Sequence, residues 1–243
     1  MSVLGALLYG LANLVHPRML WLMVWPMLVS LALWGALAFA FWGRLADALA
    51  ALFQRWLEPA AGFVRFDFGD ATVIAAYVVL FLLLVPLVYL TALFILGVFG
   101  MPKMVDHVAQ RSFPALERRR GGGMAGSVWN GAVALAGIAL LFVVSLPLWL
   151  LPPLWPLIPL AIFTWANQRL LRYDALSEHA DREEMARIFR DRRGALLALG
   201  LLLALIAYVP FVGFIAPVVF GLAFIRYLLG TLQELRAAAR PVD

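Results

Sequence analysis

The stretch GGGMAGSVWNGAVALAGIALLFVVSLPLWLLPPLWPLIPLAIFTWANQ, Gly121 to Gln168, runs for 48 residues without one Asp, Glu, Lys or Arg. As a single straight helix it would be about 72 Å long. A bilayer's hydrocarbon core is about 30 Å thick, so such a helix would overshoot it roughly twofold. Pro147, Pro152, Pro153, Pro156 and Pro159 crowd its middle. Proline removes a backbone donor and collides with the preceding turn. The spacing therefore predicts a hairpin: an arm from about Gly126 to Leu146, a proline-rich turn, and an arm from about Leu157 to Arg172.

Three further uncharged stretches surround this one. Met19 to Trp42 holds 24 residues, one full span as a helix. Ala71 to Pro102 holds a second span that is expected to end near Gly97 or Gly100, with a kink at Pro86. Gly194 to Ile225 is divided by Pro210, Gly213 and Pro217. Its halves are short for two crossings, which favours a re-entrant hairpin whose irregular backbone is covered by protein. The expected fold is all-α, a polytopic helical membrane protein forming a single domain over residues 1–243. It comprises an interfacial helix (1–18), two transmembrane helices (19–42 and 71–101) and two helical hairpins (126–172 and 194–230).

Composition agrees. Hydrophobic residues make up 65% of the chain and charged residues 14%. Soluble domains run near 45–50% and about 25%, so an ordinary soluble enzyme and a disordered chain are both excluded. No cysteine is present, which removes disulfides, thiolate metal sites and a cysteine nucleophile. No Lys or Arg precedes Arg18, so the first apolar segment reads as a retained anchor rather than a cleaved signal.

Charge orients the spans. The 19 Lys and Arg outnumber the 14 Asp and Glu. Arg44, Arg55 and Arg65 lie between the first two spans, outweighed by Asp47, Glu58, Asp67 and Asp70. If the first two regions cross once and the last two return to their own side, the other sixteen cations share one face. That asymmetry places both termini in the cytoplasm, with a bacterial inner membrane as the expected location. A fully crossing hairpin gives the same sidedness, so the span count stays open between two and six.

Amphipathic segments join the spans. Leu4, Leu7, Leu8, Leu11, Leu14 and Val15 form one helical face, with Ser2, Tyr9 and Asn13 opposite. Leu45, Leu49, Leu52, Phe53, Trp56 and Leu57 do the same against Asp47, Gln54, Arg55 and Glu58. Such helices lie in the interface plane. Trp21, Trp42, Trp149 and Trp155 near the span ends fit an interfacial belt. Asp181 to Arg193 predicts a cytoplasmic connecting helix, with Asp181 and Glu184 as a capping box and Glu183 paired to Arg187.

The chemistry in the chain is sparse. His16, His107 and His179 have no metal-ligand spacing, and neither HExxH nor GxSxG occurs. No metal, cofactor or enzymatic activity is expected. Ser30 and Ser145 are expected to bond within the helical framework. Basic residues spread over several loops do not form a nucleic-acid stripe. No carboxylate or cation interrupts the uncharged stretches, which argues against a proton-driven carrier. Two sites have the chemistry to hold an anion. One is Arg118, Arg119 and Arg120 followed by Gly121, Gly122 and Gly123, where arginine, exposed N–H groups and a helix start coincide. The other is Arg18, at the bend before the first span, whose guanidinium matches an oxyanion bidentately.

Three parts of the chain carry a resemblance. They are the opening HPRMLWLMVWPMLVSL (His16 to Leu31), the alternation of two long spans with two proline-broken hairpins, and the connector RLLRYDALSEHADREEM (Arg169 to Met185). Together they resemble the etoposide-induced/CysZ family of membrane proteins. The resemblance implies an all-α inner-membrane protein that oligomerises. It also implies sulfate as the transported anion, by analogy with the family's bacterial branch, and Arg18 as a sulfate contact. That branch carries a Gly-Leu-Arg turn where this chain reads His16-Pro17-Arg18-Met19-Leu20.

Two functions follow as expectations. One is a transporter or channel for a small inorganic oxyanion. The alternative is a non-transporting scaffold whose basic loops contact anionic lipid headgroups.

Overall fold

The computed structural model describes residues 2–61, 69–209 and 212–239. Arg65, Asp67, Pro210 and Arg240 lie outside the described residues, as does the Glu58 side chain. Among the described residues the chain is helical, with no strand. Its helices are α1 (Val3–Leu14), α2 (Pro17–Ala61), α3 (Gly69–Ile95), α4 (Met101–Ser112), α5 (Met124–Ser145), α6 (Leu157–Leu176), α7 (Arg182–Asp191), α8 (Arg193–Ala207) and α9 (Ala216–Ala238). Four segments are long and apolar enough to cross a membrane: Pro17–Leu57, Asp70–Ser112, Ala125–Leu150 and Ala216–Ala238. The protein is an integral membrane protein.

Contacts divide the chain into two units, Met23–Gly97 and Met1–Leu22 with Val98–Asp243. The smaller unit is an antiparallel pair made from most of α2 and α3. Trp34 Nε1 donates to Thr91 Oγ1 at 2.9 Å, and Gln54 Nε2 donates to Thr72 Oγ1 at 3.3 Å. Trp42 stacks on Tyr77. Its outer surface is apolar, with Phe39 almost fully and Phe94 largely exposed, as lipid-facing helices require. Ser30 Oγ is buried without a hydrogen-bond partner, contrary to the expected bond.

Two expected helix ends are absent. The amphipathic segment Leu45–Leu57 is no separate interfacial helix, because α2 continues unbroken to Ala61. Only Gly43 stood at the expected boundary, and one glycine costs a helix about 1 kcal/mol without ending it. Likewise neither Gly97 nor Gly100 stops the second span. A π turn at Leu96–Gly100 leads straight into α4. Pro102 cannot donate to the carbonyl four residues back, and a widened turn accommodates that loss.

The larger unit is built around α9, which contacts α1, α4, α6 and α8. Phe224, Tyr227, Leu228 and Leu232 are buried along it. Small residues let backbones approach. A Cβ on Gly10 of α1 would lie 2.8 Å from the Val219 carbonyl, and one on Gly200 of α8 would lie 2.7 Å from the Thr164 carbonyl of α6. So α1 has two working faces: Ala6, Leu7 and Gly10 dock on the protein, while Leu4, Leu8 and Leu11 stay exposed. Of the expected interfacial stripe, Leu7 faces inward instead.

Both proline-broken hairpins form. In the first, α5 and α6 flank two 3-10 turns, Leu146–Leu150 and Pro152–Leu154. Trp155 Nε1 donates to the Trp149 carbonyl, and Ser145 Oγ donates to the Phe142 carbonyl, closing the turn. The second pairs α8 with α9 and is lopsided, at 15 and 23 residues. Its long arm passes Arg226. That guanidinium is stacked between the Tyr9 and Phe113 rings, 4.9 and 4.6 Å from their centres, so the cation does not end the helix. Tyr208 Oη donates to the Pro156 carbonyl at 2.6 Å and ties the hairpin tips together. The connecting helix α7 carries the expected capping box. Arg187 pairs with Asp191 at 3.6 Å rather than with Glu183.

Candidate functional site

Arg18 sits in the first turn of α2, where the chain bends after α1. Pro17 opens the helix with its φ already set. The His16 carbonyl accepts from the Met19 and Leu20 N–H groups, and His16 Nδ1 accepts from the Arg18 N–H at 3.3 Å. The first amides of α2 are thus occupied by His16, and any ligand here meets side chains.

Those side chains come from two places in the chain. His16, Arg18, Trp21 and Leu22 face Lys103, Asp106, His107 and Arg111 of α4 across an open pocket of about 750 Å³. Lys103, His107 and Arg111 lie four apart and so share one face of the helix. The buried opposite face, with Met104, Val105 and Val108, turns that polar face outward. The His16 and His107 rings meet edge-on at 4.9 Å. His107 Nε2 is enclosed and has no hydrogen-bond partner. Asp106 is the one carboxylate in the pocket lining, and Arg118 pairs with it. The pocket is cationic.

The arginine-glycine segment has a different geometry. Its amides face the end of α6: Arg119 N–H donates to the His179 carbonyl, Arg120 to Glu178, Gly121 to Ala180 and Gly122 to Ser177, at 2.9–3.3 Å. A Cβ on Gly121 would lie 2.5 Å from the Ala180 carbonyl, so only glycine fits this close approach. Arg120 precedes it with φ 47°, in the left-handed region. Gly123 caps α5 through its carbonyl, which accepts from Ser127. Arg118 reaches Asp106 and, at 3.7 Å, Glu178. Arg119 reaches Glu184 at 3.0 Å and Asp181 at 3.4 Å. Among the expected site residues, Arg18 stands in one pocket, while Arg118 to Gly122 form a strap across the α6–α7 junction. Arg118 and Asp106 connect the two.

A second polar cluster lies beside the strap. Arg236 near the end of α9 donates Nε and Nη2 to both Glu184 oxygens at 2.8 and 2.9 Å. It also donates to the Glu117 and His179 carbonyls at 2.9 and 2.7 Å. The Arg236 hydrogen bond, helped by the Asp181 N–H and the charge of Arg119, holds the Glu184 carboxyl below its usual pKa against the opposing effect of burial. Burial, then the charge of Arg118, pulls the His179 imidazole down and favours its neutral form. Arg236→Ala should destabilise the solubilised protein by roughly 1–2 kcal/mol, given partly exposed charge-assisted bonds. Because the folded Glu184 pKa is lowered, its contribution is complete above the unfolded carboxyl pKa. It is lost as pH falls through the folded value. Thermal melts from pH 3 to 7 should therefore show a steeper acid loss in wild type than in Arg236→Ala.

Sequence reading singled out Arg18 but not its neighbours. Lys103, His107 and Arg111 are more than 80 positions away and carry no motif. Only the alternation of buried and polar residues along α4 marked one polar face. Arg236 had no signal beyond its charge. Among the described residues no His, Asp and Glu side chains gather as a metal site.

A family model described as "Sulfate transporter CysZ/Etoposide-induced protein 2.4" matches residues 6–217. The chain belongs to this family. The family match takes in the Arg18 pocket, the arginine-glycine strap and the first hairpin, and it ends at the start of α9. Arg226 and Arg236 lie beyond it. No curated protein and no solved structure matches the chain.

Proposed function

We propose that the protein carries sulfate across the membrane and that the Arg18 pocket binds it at the membrane surface. The observation that supports this most is the charge balance of the pocket. Arg18 and Arg111 line it, and its one carboxylate, Asp106, is paired to Arg118. A dianion relieves that excess. Arg18 offers a planar fork to two sulfate oxygens. The family description supports sulfate over other oxyanions.

Equilibrium binding of radiolabelled sulfate to the detergent-purified protein tests the assignment. Saturable binding displaced by selenate, which has the same shape and charge, and not by equal chloride is the expected result. Absence of saturable binding, or displacement by chloride at equal concentration, would remove sulfate as the ligand.

A further inference from the structure

A second basic cluster stands apart from the Arg18 pocket, where α6 meets the start of α8. The register of these two helices is fixed by Gly200. Its Cβ position lies 2.7 Å from the Thr164 carbonyl and 3.7 Å from Gln168 Cβ. Arg193 lies seven residues before Gly200 and Arg172 eight after Thr164, so in an antiparallel pair both stand about 10–12 Å from that crossing. Arg169 is one turn from Arg172 on the same face. The charges acting on the Arg172 guanidinium are those of Arg169 and Arg193, both of its own sign.

No counter-charge balances them. Among the described residues, the ion pairs use Arg118, Arg119, Arg187, Arg190, Arg192 and Arg236, and none involves these three. Arg172 donates Nη1 to Gln168 Oε1 at 3.1 Å and lies over the Phe189 ring at 4.7 Å, which fixes its plane. Its Nε is enclosed and has no hydrogen-bond partner. Three like charges held close together without a counter-charge call for an anion.

The surface beyond the arginines says which anion. Leu197 and Leu201 follow Arg193 at i+4 and i+8, on the same side of α8, and both are exposed. On α5, Asn130 Nδ2 donates to the Arg169 carbonyl at 3.2 Å, and the neighbouring Val128 and Trp129 are largely exposed. Charge at one level with an open apolar stripe running from it has the layout of a lipid, not of a free ion. We infer that Arg169, Arg172 and Arg193 bind the phosphate of an anionic phospholipid whose acyl chain lies along Leu197 and Leu201. The site is independent of what the Arg18 pocket carries.

The test uses the full chain purified in a neutral detergent, titrated with dioleoyl phosphatidylglycerol in mixed micelles and followed by its thermal midpoint. Arg169→Gln/Arg193→Gln removes two charges that make no ion pair. Arg182→Gln, an exposed cation elsewhere, is the matched control. The expected result is a rise in midpoint for wild type and Arg182→Gln, with at least a fivefold higher half-saturating lipid fraction in the double variant. Phosphatidylcholine and inorganic phosphate should leave the midpoint in place. Should the double variant fail to fold, Arg193→Gln alone should shift half-saturation at least twofold. An equal response in wild type and the arginine variants would overturn the site. So would no response in wild type. A rise reproduced by millimolar inorganic phosphate would overturn the lipid as its ligand.

Discussion

Gly200→Val should lower the thermal midpoint of the solubilised protein by roughly 6–12 °C. The added Cβ falls 2.7 Å from the Thr164 carbonyl oxygen. That neighbour is backbone inside α6 and cannot rotate away, so α8 must move. Overpacking of this kind costs about 1–3 kcal/mol, and here it strikes the contact between the two hairpins. At roughly 2–4 °C per kcal/mol for a chain of this size, the upper end of that cost gives the stated fall. Gly131→Val is the control: nothing lies within 4 Å of its Cβ position, and the midpoint should hold. Equal midpoints in the two variants would mean that α8 does not pack on α6 through Gly200.

The second large effect is on the ligand. Arg18→Ala should weaken sulfate binding about 10- to 100-fold without unfolding the protein. Arg18 is exposed and makes no ion pair among the described residues; its N–H bond to His16 is backbone and survives the change. What is lost is a charge-assisted, bidentate interaction worth about 1.5–3 kcal/mol, and 1.4 kcal/mol is about tenfold in affinity. Arg18→Lys should fall between, since a lysine keeps the charge and loses the fork. Binding in Arg18→Ala within twofold of wild type would remove Arg18 from the site.

How much of this was legible before the structure depends on the range of each interaction. Uncharged run length and proline position are local signals, and they placed both hairpins. The capping box at Asp181 and Glu184 was equally local. Helix ends at Trp42 and Gly97 were misplaced because a missing charge marks the edge of lipid and not the end of a helix; α2 and the α3–α4 run stay helical where polarity returns. Nothing local shows how an apolar arm accommodates Arg226, since a cation usually stops one. The rings that shelter it come from Tyr9 and Phe113, more than 110 positions away. The Arg18 pocket was half legible. Its own turn carried the resemblance, while Lys103, His107 and Arg111 arrive only when α4 folds beside it. Nor could the sequence tell that the amides of Arg119 to Gly122 are given to residues 177–180, because an exposed loop and a strap read alike.

Sulfate flux is the most direct measure of the central claim. Protein reconstituted into liposomes, wild type beside Arg18→Ala, would be followed for uptake of radiolabelled sulfate. Saturable uptake well above empty liposomes, reduced at least tenfold in Arg18→Ala at subsaturating sulfate, is the predicted result. Wild-type uptake no greater than that of empty liposomes would contradict sulfate transport and leave the protein as a membrane scaffold.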